Sequence, residues 1–396
     1  MNINKPNFMK VHRKNRKQQQ SIGIALVTLF IICACDAAII SGSATRKISP
    51  AVEIAAWIQS KGLLTGPKAF SHPTGIAVNG SGYVYVCDTI NNRIQVFGPD
   101  GHYVTSWGVG NGNGSAGNKN GEFSSPFGVA VNSTGAVYVA DSSNQRVQVF
   151  SSTGQFLFKI NKTSGGNGKG NGEFAQPEGV GINASGYLYV ADTFNNRVQV
   201  FTPRGAFVTK WGSGGGNGSS GIKNGEFDLP TAIAFNSTGQ VYVADSANRR
   251  VEMFTQAGKY LANLTGFSGS YGPSGIAINS TDYVYVTDSD GSDAVNIYTP
   301  SGNWFAFWQL ERNHYPWGIA INATHHIFVS EYYSTVVEIF AVLQPQTGGS
   351  PEGNLMEIII ISIACAAVAV VVVILLFLNK KRQRKPDEVK SESSQP

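Results

Sequence analysis

Cysteine is scarce in this chain: 396 residues hold four, and three of them (Cys33, Cys35 and Cys365) fall in apolar segments near the two ends. Only Cys87 lies between those segments, which excludes a disulfide framework for the central region. Charge is also sparse, at 14% of residues, and residues 51–350 carry 16 Lys and Arg against 19 Asp and Glu. The formal net charge of +5 therefore comes from the two ends. A nucleic-acid binder would need a basic patch on the folded region, so nucleic acid is excluded as a partner. Histidine is rare as well, and no H-x-x-x-H spacing, serine nucleophile elbow or phosphate-binding glycine loop occurs. No helical apolar period runs through residues 51–342, which excludes an α-rich domain.

The ends carry what the middle lacks. Residues 1–20 form a basic segment with Lys10, Arg13, Lys14, Arg16 and Lys17, and residues 21–44 contain the apolar run Ile22 to Cys35. This order fits a signal peptide, or a signal anchor if the segment is retained. Ile358 to Leu378 is an uncharged run of 21 residues followed at once by "KKRQRK". It predicts a transmembrane helix over 357–378, with the basic tail 379–396 in the cytoplasm. On this reading the protein is a single-pass cell-membrane protein, or two-pass with an uncleaved signal, and its main domain is extracellular. Residues 343–356, "QPQTGGSPEGN" among them, read as a flexible stalk.

Between the ends the chain repeats itself. "GIAVNGSGYVYVCDTINNRIQVF" returns as "GVAVNSTGAVYVADSSNQRVQVF" and "GVGINASGYLYVADTFNNRVQVF". The asparagine after the first strand recurs as Asn79, Asn132, Asn183, Asn236, Asn279 and Asn322, at spacings of 53, 51, 53, 43 and 43. Each unit holds four short runs rich in Val, Ile and aromatics and bounded by Gly, Asn or Pro, which reads as four strands. Six such units predict an all-β, six-bladed β-propeller over 51–342. The last unit shows only three strands, and "AVEIAAWIQSKG" at the start matches the fourth-strand pattern, with Trp57 in the place of Trp107 and Trp211. The N-terminal strand is therefore expected to close the ring. Cys87 sits at a position filled elsewhere by Ala140, Ala191, Ala244, Thr287 and Ser330, and is read as a small buried side chain.

The blocks P-x-G-[IV]-A, V-Y-V-A-D and N-x-R-[VI]-Q-V-F resemble NHL repeats, and the resemblance covers nearly all of residues 51–342. It implies a membrane-anchored cell-surface NHL propeller that serves as an interaction module. Some relatives of this type are enzymes. The peptide-amidating lyases of similar fold hold their metal through histidines, which this chain does not place in the repeated turn. The resemblance thus leaves enzymatic activity uncertain and assigns no catalytic residue.

Blade acids Asp88, Asp141, Asp192 and Asp245 are each followed five residues later by Arg93, Arg146, Arg197 and Arg250, which predicts an ion pair inside each blade. Asp288 and Glu331 have no such arginine. Repeated positions carry architecture, so ligand contacts are sought where the blades differ. The x of P-x-G is Thr74, Phe127, Glu178, Thr231, Ser274 and Trp317, at the mouth of the central channel. The turn after the blade acid adds Ile90, Phe194, Asp290, Asp293, Tyr332 and Tyr333 on the same side. Aromatic platforms with a few polar groups suit an extracellular protein, peptide or glycan. "DSDGSD", with Asp288, Asp290 and Asp293, is oxygen-rich and raises Ca2+ as a ligand, although it lacks the EF-hand pattern. A lyase or lactonase using a divalent metal in the channel, held by carboxylates such as Glu178 and Asp290, is the alternative function. Each of the six repeat asparagines opens an N-x-S/T triplet, the hydroxyls being Ser81, Thr134, Ser185, Thr238, Thr281 and Thr324. A turn needs only the asparagine, so the hydroxyl points to N-glycosylation on the face opposite the mouth.

Overall fold

A computed structural model describes residues 58–64, 69–161, 167–269, 272–289, 292–310 and 313–342. The candidate signal segment 21–44, the stalk 343–356, the apolar segment 357–378 and the tail 379–396 lie outside the described residues, as do Trp57 and Asp290. Among the described residues no helix is long and apolar enough to cross a membrane. The unit Ile48–Leu343 contains six antiparallel sheets of four strands each.

Blade one runs through Pro73–Val78, Val84–Asp88, Arg93–Phe97 and Tyr103–Trp107, and blades two to five repeat that order. Blade six takes three strands, Pro316–Ile321, His326–Glu331 and Val336–Val342, from the end of the domain and its outermost strand, Ile58–Leu63, from the beginning. That strand pairs antiparallel from Ile58↔Val342 to Leu63↔Glu338. The expected N-terminal closure is present, and it leaves no blade with a missing edge.

Burial follows from the alternation of side chains along each strand. Second and third strands are buried on both faces, because each sheet packs between two neighbours. The core is accordingly a ring of six layers, each drawn from two adjacent blades. One layer joins Tyr138, Val147 and Val149 of blade two to Val180, Leu188, Val190 and Phe201 of blade three. Cys87 belongs to the layer between blades one and two and is fully buried, as expected.

The blade acid organises each of the first four blades. In blade three Arg197 Nε donates to Asp192 Oδ2 at 2.7 Å, and the same pair in blades one, two and four measures 2.7 Å. Both partners are buried, so the remaining hydrogen-bonding capacity has to be met by protein. Asp192 also accepts from Ala175 N, Asn195 Nδ2 and Gln199 Nε2. Arg197 donates to the carbonyls of Lys169, Gly170, Glu173 and Gly216. The glycine-rich loops therefore fold over the mouth side as carbonyl cradles for the arginines. Blade six replaces the arginine with His314, whose Nδ1 lies 2.7 Å from Glu331 Oε2.

Candidate binding site at the channel mouth

Every innermost strand has a register shift at its P-x-G start, as between Pro177 and Gly179. A bulge there re-aims one side chain. The glycine that follows has a packing reason. A Cβ on Gly75 would meet Phe127 O at 2.6 Å and one on Gly179 would meet Thr231 O at 2.5 Å, while Gly128, Gly275 and Gly318 would collide with the carbonyls of Glu178, Trp317 and Thr74. At five of the six joints the inner strands come so close that backbone meets backbone; the joint after blade four, where Ala232 stands in the glycine position, leaves room for a methyl group.

The six x residues divide into two sets. Thr74, Thr231 and Ser274 are buried and donate to the next blade: Thr74 Oγ1 to Phe127 O at 2.7 Å, Thr231 Oγ1 to Ser274 O at 3.2 Å, and Ser274 Oγ to Pro316 O at 3.0 Å. These three were expected to meet a ligand; the structure commits their hydroxyls to holding the ring. Residues after the blade acid do the same work, Thr89 adding a second tie at the first joint through Pro126 O and Ser142 and Thr193 serving the next two joints through the carbonyls of Pro177 and Pro230. Blade six closes on blade one through Ser330 Oγ and Thr74 O at 2.6 Å. That belt was not anticipated, although an acid followed by Ser or Thr in five of six units was a readable signal.

Phe127, Glu178 and Trp317 form the second set and line the central channel. Phe127 and Trp317 belong to blades two and six but meet above the small Thr74 of blade one, with ring centroids 5.4 Å apart. Trp317 stacks on Tyr332 at 5.5 Å, and Tyr332 meets Tyr333 at 5.0 Å. Two residues absent from the sequence-based set complete the cluster: His72 lies 4.5 Å from Tyr332, and Tyr315 lies 4.7 Å from Tyr333. Both precede the proline of P-x-G and hold left-handed backbone, φ 52° and 51°, a conformation that Ser125, Gln176 and Leu229 share at the same position of blades two to four, so the backbone belongs to the repeat and only the aromatic side chains are particular to blades one and six. Phe194 is 54% exposed on its turn and shares no ring contact among the described residues. It stands apart from the cluster that the sequence grouped it with.

Glu178 is the only ionisable side chain among the residues lining the channel, which encloses about 350 Å³. Its carboxyl has neither a hydrogen-bond donor nor a cationic partner among the described residues. Burial alone raises its pKa to about 8. Its charge also reaches Tyr332, whose hydroxyl is pushed above the usual tyrosine range first by burial, then by Tyr333 and Glu178.

The acidic loop of blade five does not gather into a metal site among the described residues. Asp288 is buried and accepts from Ser292 Oγ at 2.8 Å, whereas Asp293 accepts from Asn313 N at 2.8 Å. Among the described residues no three His, Cys, Asp or Glu side chains stand together as metal ligands, in this loop or in the channel.

On the opposite face the six asparagines make one shared turn. Asn322 Oδ1 accepts from Thr324 N at 3.1 Å and from His326 N at 2.8 Å, Asn79, Asn132, Asn183 and Asn279 follow the same pattern, and Asn236 accepts from Gln240 N at 2.8 Å. Thr134, Thr238, Thr281 and Thr324 also donate through their hydroxyls to the asparagine Oδ1 at 2.8 to 2.9 Å. The view that the turn needs only the asparagine is therefore corrected: in four units the hydroxyl helps to hold it. Asn183 is buried, and its Nδ2 donates to Gln256 Oε1 at 3.2 Å.

Comparison with known proteins agrees with this architecture. The NHL repeat model matches residues 70–97, 123–150, 174–201 and 227–254. NHL repeat-containing protein 3 of Homo sapiens is 29% identical over 212 residues, 52% of this chain and 55% of that protein. Protein brain tumor of Drosophila melanogaster is 27% identical over 150 residues, 37% of this chain and 13% of that protein. The peptidyl-glycine alpha-amidating monooxygenase of Mus musculus is 31% identical over 190 residues, 47% of this chain and 18% of that protein. The matched stretches thus cover between 13% and 55% of these relatives' own lengths. Among solved structures, a gluconolactonase from Xanthomonas campestris has a TM-score of 0.52 at 12% identity, covering 69% of this chain and 87% of the other. A virginiamycin B lyase from Staphylococcus aureus, solved with quinupristin, has a TM-score of 0.50 at 16% identity, covering 74% and 89%. At such identities the likeness concerns the fold alone. The chain carries NHL repeats, four of them matched by the family model, in a six-bladed β-propeller.

Proposed function

We propose that this chain is a membrane-anchored cell-surface binding module whose propeller takes a protein, peptide or glycan at the channel mouth. The observation that carries the reading is the mouth itself, where Phe127, Trp317 and Tyr332 form a continuous aromatic surface beside the carboxyl of Glu178, which has no partner among the described residues. Aromatic platforms with few polar groups are the usual make-up of ligand sites. The uncharged run Ile358 to Leu378 and the basic residues after it supply the anchor in this reading, with the propeller outside. Glycans on the six repeat asparagines would crowd the far face and leave the mouth open.

The test is capture of partners from native membranes by the full-length chain and by the double variant Trp317→Ala, Tyr332→Ala. Capture is expected to be lost while the melting curve stays cooperative. A double variant that captures the same partner as well as the parent places the site elsewhere.

A lyase or lactonase reading rests on the shared fold of the solved relatives. It requires a divalent metal near Glu178. Metal analysis of the purified protein before and after chelation decides it, since an activity of that kind needs stoichiometric metal.

A further inference from the structure

The aromatic cluster and Glu178 have a chemistry more specific than a general platform. The rings of Phe127, Trp317 and Tyr332 adjoin one another with centroids 5.4 and 5.5 Å apart and mutual tilts of 78° and 38°. Rings set at such angles to each other form an angled aromatic wall instead of a flat stack. The negative face of an aromatic ring attracts a cation, most strongly where water is excluded. The Glu178 carboxyl in the same channel, with no cationic partner among the described residues, adds to that attraction once it is ionised. The channel volume of about 350 Å³ falls within the roughly 300–1,000 Å³ of small-ligand sites. Thr74, Thr231 and Ser274 spend their hydroxyls on the ring, so hydroxyl contacts there favour no polyol over a cation.

We propose that the channel mouth binds an alkylated ammonium group, seated on the rings of Phe127, Trp317 and Tyr332 and neutralised by Glu178. This rests on the mouth being the binding face and names the chemistry it selects. Alkylated ammonium is the form argued for because its methyl groups need no hydrogen-bond acceptors and pack on ring faces, while a single carboxylate balances its one charge.

The carboxyl that accepts the charge is largely protonated at neutral pH in the free protein, since burial raises its pKa to about 8. A bound cation favours the ionised form, so binding at pH 7 is expected to release up to about 0.9 proton. A quaternary ammonium has no proton of its own to lose, so the proton comes from the protein. His72, whose imidazole packs on Tyr332, and Tyr332 and Tyr333 are also titratable groups of the mouth. Glu178→Gln separates the carboxyl from them and keeps its volume.

The experiment is calorimetric titration of the full-length protein with choline and with its uncharged isostere 3,3-dimethyl-1-butanol, in two buffers of different ionisation enthalpy. Choline is expected to bind at least tenfold more tightly than the alcohol and to release a proton. Glu178→Gln is expected to lose about tenfold in choline affinity and all of the release, with its melting curve still cooperative. Equal binding of the two probes, or no saturable choline binding, overturns the proposal. If choline fails but the Trp317→Ala, Tyr332→Ala variant still loses its native partner, only the ammonium assignment falls and the mouth stands as the site.

Discussion

Blade four contains a substitution whose cost can be worked out. In blades one to three the third strand carries Gln95, Gln148 and Gln199 two residues after the arginine, within hydrogen-bonding reach of the blade acid, and blade four has Glu252 there. Gln199 accepts from Gly172 N at 3.0 Å and donates to Glu173 O at 2.7 Å and to Asp192 Oδ2 at 3.0 Å. Glu252 keeps the accepting half, from Gly225 N at 3.0 Å and from Arg250 at 3.4 Å, but its Oε2 is buried with no partner among the described residues. An ionised carboxylate has no proton to donate to the carbonyl and the aspartate that Gln199 bonds in its own blade. Burial first, and Asp245 as well, raise Glu252 to about 7, against the opposing pull of Gly225 N and Arg250. A folded-state pKa above the unfolded one means that the folded form holds the proton more tightly. Stability from this group is then complete below about pH 4.5 and is lost as pH rises through 7. The rise from the ordinary glutamate value of 4.5 to about 7 corresponds to about 3 kcal/mol. Glu252→Gln restores the missing donor and does not titrate. It is expected to match the parent near pH 4.5 and to exceed it by about 3 kcal/mol at pH 8, read from urea midpoints followed by tryptophan fluorescence. Asp245, raised to about 6 by burial, titrates in both proteins, so the difference between them reports Glu252 together with its repulsion by Asp245. A difference that stays flat between pH 5 and 8, or a variant weaker at pH 8, would refute the reasoning.

Three further outcomes follow from the geometry. Arg197→Met strips the fully buried Asp192 of its cation and is expected to cost about 3–5 kcal/mol in chemical denaturation; a loss under 1 kcal/mol would mean that the surrounding amides suffice. Gly128→Ala drives a methyl group into Glu178 O and is expected to cost about 1–3 kcal/mol, while Gly80→Ala, with nothing within 4 Å, is expected to be close to neutral. Glycopeptide mapping of protein from its native membrane is expected to find sugar on the partly exposed Asn79, Asn132, Asn279 and Asn322, and Asn183 bare because its Nδ2 is buried against Gln256; six bare sites would leave the triplets as turn chemistry.

The features legible in the sequence are those whose partners lie close along the chain. The acid and the arginine five residues on face each other across a hairpin, as Asp192 and Arg197 do, so their spacing alone announced the pair. The count of six blades and the closing strand followed from the period, since a unit of three strands leaves an edge for Ile58–Leu63 to fill. The mouth was legible only as a position. All six x residues were candidates, and what separated them was a bond to a carbonyl about 40 to 50 residues away in the next blade, as from Thr74 to Phe127 or from Ser274 to Pro316. Such bonds depend on how tightly the ring closes, which no local pattern records. His72 and Tyr315 were missed for a different reason: the left-handed backbone before the proline recurs at Ser125, Gln176 and Leu229, so the position reads as part of the repeat, and only the contacts with Tyr332 and Tyr333 single these two side chains out.

Blade six shows how a repeat can give up a rule without losing the structure that the rule supports. Five units follow the blade acid with Ser or Thr; the sixth follows Glu331 with Tyr332. Such a change by itself would leave the last joint of the ring without the hydroxyl tie that Thr89, Ser142 and Thr193 supply elsewhere. The tie is kept by Ser330, two positions before Tyr332, where blades one to four carry Cys or Ala, and its hydroxyl reaches Thr74 O. The arginine is likewise missing, and His314 takes its place against Glu331 from the preceding loop. Both replacements hold the blade together, and both free the turn to carry Tyr332 and Tyr333 toward Trp317 and His72. Compensation on one side of a deviation and an exposed aromatic cluster on the other is what a functional site within a repeat is expected to look like. The same argument separates blade six from blade four, where the substituted Glu252 faces no channel and no compensating donor stands beside its Oε2.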